Sequence, residues 1–178
     1  RSGGTILGVR DLLVAMNFTL DSRDESLARS LAAAIRSAGP GDRPDRLEAL
    51  RSVGWTMPGY EGRVQVSTNL LDPRVTSAMT VLQTLRRLAA PVEVLGAELI
   101  GLCPARVLAD AALQARDAEL PSWPAGQVLD SSTSARSEFL VEGVQALGLR
   151  HLGGGSETQV LSERLLEWKL ADAALWSG

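Results

Sequence analysis

Reaction chemistry needs side chains that move protons, attack carbon or hold a metal, and this chain carries few of them. His151 is its only imidazole, so any Ser-His-Asp or Cys-His arrangement would have to include it. It follows Leu149-Arg150 and precedes Gly153-Gly154-Gly155, a context that reads as a surface turn at a helix end. Cys103 is the only thiol. It precedes Pro104 at an expected helix start, where the positive end of the helix dipole can activate a thiol. With no partner evident, Cys103 is expected to be a small buried hydrophobe. One Cys and one His leave no ligand set for structural zinc, so no metal is expected. Gly153 to Ser156 lacks the Lys-Ser/Thr ending of a phosphate-binding loop and reads as a linker. Asp72, Glu93 and Glu98 are scattered, with no spacing that marks an acid/base pair.

The more informative residues are uncharged. Gln65, Ser67 and Asn69 alternate with Val64, Val66 and Leu70, the period of a strand with one buried and one polar face. A polar outer face is common in antiparallel sheets. Here, though, it carries amides and a hydroxyl rather than Lys and Glu, and such groups make oriented hydrogen bonds to a heteroaromatic ligand. Structure and ligand binding both remain open as readings of this row.

The elements that must position the row follow from periodicity. Asp11 to Phe18 is a short apolar run, expected to be a buried strand. Ser22 and Glu25 have capping-box spacing, and Leu27, Leu31, Ile35 and Ala38 recur at helical intervals up to Gly39-Pro40. Leu50 to Met57 places Val53, Trp55 and Met57 on one side of a strand, and Pro58 to Gly62 reads as a hairpin loop. After Asp72-Pro73 comes a helix from about Thr76 to Ala90, with Ala78, Met79, Leu82, Leu85 and Ala89 as its buried stripe. Val92 to Leu99 is a further strand. The order β-α-β-β-α-β is the ferredoxin-like signature of an α+β fold, a four-stranded antiparallel sheet with both helices on one face. Its other face is left for a ligand, a partner or another sheet.

Additional elements follow. Pro104 suits the first position of a helix reaching roughly Ala118. The Pro-, Ser- and Gly-rich stretch after it reads as a surface loop. Helices are expected from Arg136 to Leu147 and from Glu157 to Leu170, the latter with a Ser156/Gln159 capping box and Leu161, Leu165 and Trp168 as its stripe. The expected division is a core at 1–118, a linker at 119–135 and a helical extension at 136–178 packing on the same domain.

Composition sets the outer limits. The 178 residues are 45% hydrophobic and 22% charged, ordinary for one globular domain. No apolar run approaches the roughly 20 residues of a membrane span, so no membrane partner is expected. A net charge of −3 argues against a nucleic-acid surface. Lys169 is the only Lys among 18 basic residues. The Arg bias suits anionic ligands, although an arginine-rich genome is the simpler explanation. The lone thiol fits a reducing, cytoplasmic setting. The start, Arg1-Ser2-Gly3-Gly4, has no initiator Met, as expected of a fragment or processed chain.

Several segments together resemble a known family. The run from Gln65 to Asp72 (QVSTNLLD) is similar to the corresponding strand of the formiminotransferase domain of formiminotransferase-cyclodeaminase. Gly8 to Asn17 (GVRDLLVAMN) resembles that family's G-A-R-x-F-L-I-A-x-N strand, and Arg51 to Trp55 (RSVGW) its A-I-G-W strand. Gly96 to Pro104 (GAELIGLCP) resembles its G-S-x-L-V-G-L-V-P element. Leu147 to Leu149 and Ser162 to Trp168 resemble the end of that domain more loosely. The likeness runs from about Gly4 to Leu170. The Pro58-containing hairpin, the Pro121-to-Ala135 stretch and the turn before Thr158 depart from the pattern.

The resemblance implies the second, C-terminal of two ferredoxin-like subdomains in glutamate formiminotransferase. That enzyme moves a formimino group from formiminoglutamate to N5 of tetrahydrofolate, a co-substrate held in a tunnel between the subdomains. Its catalytic His belongs to the N-terminal subdomain, and no position here, His151 included, matches it. No catalytic residue is therefore expected in this chain, and no activity without the other half. Asn17, Gln65, Ser67, Asn69, Gly96, Glu98 and Gly101 match family motifs at the folate and substrate face. The implied partners are folate and an N-terminal subdomain, on the same or a separate chain, with a homodimer also considered. A role in histidine degradation and one-carbon metabolism is implied with them. The alternative is a non-catalytic ferredoxin-like module that binds a protein partner or small ligand.

Overall fold

The computed structural model describes residues 3–4, 7–8, 12–59, 61–117, 137–149 and 161. His151, the Gly153–Ser156 run and the Ser156/Gln159 box lie outside them.

The elements run β1 (Val14–Leu20), α1 (Glu25–Ile35), β2 (Leu50–Thr56), β3 (Val64–Leu70), α2 (Ala78–Ala89), β4 (Val94–Ile100), α3 (Ala105–Ala115) and α4 (Ser137–Ala146). The strands form one antiparallel sheet in the order β2-β3-β1-β4. This is the expected α+β, ferredoxin-like arrangement, with the first and third strands central.

Alternation decides what each strand buries. In β1, Val14, Met16, Phe18 and Leu20 are fully buried, the first three opposite Leu70, Thr68 and Val66 of β3. Together with Leu31 and Ile35 of α1 and Leu82 and Leu85 of α2 they form the core. The strand starts later than the apolar run Asp11–Phe18 suggested, and Leu12 is exposed. Asn17 and Thr19 extend the strand on its other face, so its pattern is alternating rather than continuously apolar.

The helices are placed by caps and by close approach. Asp24, not Ser22, caps α1: its carboxylate accepts from the Ser26 backbone N–H at 2.8 Å, while the Ser22 hydroxyl accepts from the Asp24 N–H at 3.0 Å. The acid wins because its charge faces the positive helix end. The side of β2 facing α1 is small and polar. Gly54 lies so near the Ala28 and Arg29 backbone that a Cβ would overlap it, and Ser52 donates to the Ala32 carbonyl at 2.8 Å. Thr56 donates to Glu25 at 2.6 Å. Ser77 caps α2 and also bonds Gln114 of α3 at 2.9 Å.

Pro104 is the N-cap of α3 rather than its first residue. Cys103 is buried beside it. α4 lies against α3 with Gly143 on the Leu108 backbone, and the chain beyond α4 returns to the sheet. There the Ala97 N–H donates to the Gly148 carbonyl at 3.0 Å, and Ala97 bridges Leu149 in parallel.

Candidate functional site

The sheet face turned away from α1 and α2 carries three cross-strand rows. Strand register puts Arg51, Asn69, Ala15 and Ile100 in one row and Val53, Ser67, Asn17 and Glu98 in the next. Trp55, Gln65, Thr19 and Gly96 form the third. Six of the seven expected site residues, separated by up to 81 positions in the sequence, therefore share one face. Gly101 does not. It follows the last residue of β4 with φ +78, a left-handed conformation that suits Gly and turns the chain out of the sheet.

Exposure changes across the face. Arg51, Asn69 and Ile100 are exposed, whereas Gln65 is 0% and Glu98 4% accessible, with Asn17 and Thr19 buried beside them. The result is an enclosed polar corner with an open rim. Inside the corner the Gln65 amide Nε2 donates to Thr19 Oγ1 at 2.9 Å and to Glu98 Oε2 at 3.3 Å. The amide's other end, Oε1, is buried without a hydrogen-bond partner. A buried orphan acceptor costs about 1–3 kcal/mol, so this is where the face is chemically unfinished. A β-bulge interrupts the β1–β4 pairing between Thr19 and Leu20, at the edge of the same corner. Bulges often sit where a strand re-aims a side chain.

Charge on the rows is sparse. Glu98 is the only acid and Arg51 the only base among these residues. They stand on outer strands three spacings apart, about 14 Å at the usual interstrand distance, too far to pair. Away from the face, the Ser26 hydroxyl holds the Asp24 carboxylate low, Thr56 that of Glu25, the hydrogen bond from Arg74 that of Asp72, and the one from Arg116 that of Glu142. No set of His, Cys, Asp or Glu suited to a metal occurs among the described residues.

Six residues of the face, Ala15, Thr19, Arg51, Val53, Trp55 and Ile100, were not expected as site residues from sequence. Thr19 was legible in the alternation of β1. Val53 and Trp55 do share one side of β2, but it is the open side, where they are 59% and 37% exposed. Arg51 belongs with them. The core side of β2 holds Ser52, Gly54 and Thr56, which hydropathy does not mark as buried.

The family profile of the formiminotransferase domain matches residues 15–117, the sheet from Ala15 on with α1, α2 and α3. The chain belongs to the formiminotransferase domain family. A formimidoyltransferase-cyclodeaminase from Mus musculus is 41% identical over 113 residues, 62% of this chain and 20% of that protein. The Gallus gallus protein of the same name is 37% identical over the same length. A glutamate formimidoyltransferase from Thermoplasma acidophilum is 31% identical over 117 residues, 63% of this chain and 36% of that protein. This formiminotransferase-family chain thus spans about a fifth of the first relatives it matches and about a third of the last. All three relatives carry transferase names, and the family's matched region contains all of the polar corner. No described helix is long and apolar enough to cross a membrane.

Proposed function

We propose that this chain is the C-terminal, ligand-holding subdomain of a formiminotransferase that moves the formimino group of formiminoglutamate to tetrahydrofolate. Family membership supports the transferase reading. The observation that carries the ligand-holding part is the convergence of Asn17, Gln65, Ser67 and Glu98 on one partly enclosed sheet face. Packing alone does not require such hydrogen-bonding groups there.

The chain's contribution is positional. Hydrogen bonds from the corner and apolar contact with Val53, Trp55 and Ile100 hold reactants in attack geometry, which can lower a barrier without any proton transfer. Tetrahydrofolate supplies the accepting nitrogen. Gln65 Oε1 and Glu98 fit the N–H-rich rings of such a molecule. Arg51 at the rim fits a carboxylate. Proton transfer falls to an N-terminal subdomain docking over this face, and a cytoplasmic setting goes with the reading. The exposed Val53 and Ile100 also suit the alternative, an interaction module that docks a protein partner without folate.

Calorimetric titration of tetrahydrofolate into the chain, alone and mixed with a family N-terminal subdomain, separates the two. Binding that appears or tightens in the mixture is expected. A folded chain that binds no folate in either case would instead favour the interaction module, with a homodimer or partner complex as its signature.

A further inference from the structure

The corner has two acceptors that no described residue uses. Gln65 spends its donor on Thr19 and Glu98, leaving Oε1 buried and unpartnered. Glu98, 4% exposed, takes one hydrogen bond, through Oε2, and meets no cation among the described residues. Buried polar groups are normally satisfied, and a buried carboxylate normally has a cation or several donors. Acceptors in excess on a candidate binding face call for a ligand rich in donors.

We propose that Gln65 Oε1 and the Glu98 carboxylate bind a planar ligand edge bearing adjacent N–H donors, the chemistry of an amidinium or a 2-aminopyrimidin-4-one ring. Such an edge presents parallel donors that a carboxylate takes two at a time, and the amide oxygen accepts a further N–H. A ligand with a carbonyl at this edge would set lone pair against lone pair. Resting on the reading above, the edge has two sources: the formimino group of the donor substrate and the pterin ring of the acceptor. Either would deliver N–H groups to the same oxygens. Asn17 and Ser67 share the row of Glu98, next to that of Gln65, placed to read the rest of the ring or chain.

The test compares matched ligands on the chain mixed with a family N-terminal subdomain, by calorimetry, for wild type and Glu98→Gln. The variant keeps the shape and removes one acceptor, and circular dichroism confirms its fold. Wild type is expected to prefer formiminoglutamate over N-formylglutamate, or tetrahydrofolate over its 2-desamino analogue, by tenfold or more. The pair that shows the preference identifies the source, and Glu98→Gln should reduce that preference at least several-fold. No preference in either pair, or one that Glu98→Gln leaves intact, overturns the proposal. Should neither substrate bind at all, the transferase reading fails separately. Formamidinium and 2-aminopyrimidin-4-one, titrated while the Gln65 side-chain amide is followed by NMR, then decide the acceptor pair. A saturable shift lost in Glu98→Gln supports it, and no shift overturns it, leaving Oε1 to a buried water.

Discussion

Asn69 and Gln65 lie four residues apart on the same strand face, yet substitution at each should report different things. Asn69 is exposed on the rim, so Asn69→Ala should leave the melting transition within about 0.5 kcal/mol of wild type. If Asn69 bonds folate, affinity in the reassembled transferase should fall roughly three- to tenfold, the worth of one neutral hydrogen bond. Unchanged affinity and turnover would remove Asn69 from the site. Gln65 is tied into the corner, so its loss mixes folding with binding. This distinction was only half legible in sequence. Alternation placed Gln65, Ser67 and Asn69 on one face, but only the cross-strand register brings Asn17 and Glu98 to them and separates Gly101. Exposure was not legible at all, because it depends on what stands beside each residue on neighbouring strands.

At the scale of elements, small residues set the distance between α1 and the sheet. A Cβ at Gly54 would run into the Ala28 carbonyl group, backbone that cannot swing aside as a flexible side chain can. Gly54→Ala should therefore cost about 2 kcal/mol or more, as overpacking does, read as a lower urea midpoint with an unchanged slope. A cost below about 0.5 kcal/mol would show that α1 can slide outward freely. The α2 stripe was readable, every expected residue of it being buried, whereas α1 ends at Ile35, short of the expected Ala38. The inner side of β2 was not readable, because Ser52 and Thr56 hold α1 by hydrogen bonds to Ala32 and Glu25. Hydropathy registers neither those bonds nor the closeness of the backbones.

On the scale of the whole molecule, the issue is whether the chain beyond the ferredoxin-like core folds with it. The family match stops at residue 117, yet α4 packs on α3, and Arg116 pairs with Glu142 across them. If residues 136–178 belong to the same cooperative unit, Gly143→Ala, which would drive a Cβ into the Leu108 carbonyl, should lower the stability of the sheet as well. Hydrogen exchange would show β1 and β3 amides losing protection together with α4. Protection lost from α4 alone would mark a separately melting appendage. Sequence reading expected a helix from Arg136 to Leu147, but docking rests on a glycine whose value appears only when two helices meet.

The return of the chain to β4 also bears on self-association. A sheet edge is a template onto which another strand can add. On the β4 side the Gly148 carbonyl already takes the Ala97 amide. On the far side the Leu50 carbonyl is taken by both the amide and the hydroxyl of Ser37. Of the described outer edges, the longest stretch free to recruit a strand runs along β2 after Leu50, beginning at the charged Arg51. The same fold that presents a broad face for binding thus leaves β2 as the described edge most open to an added strand.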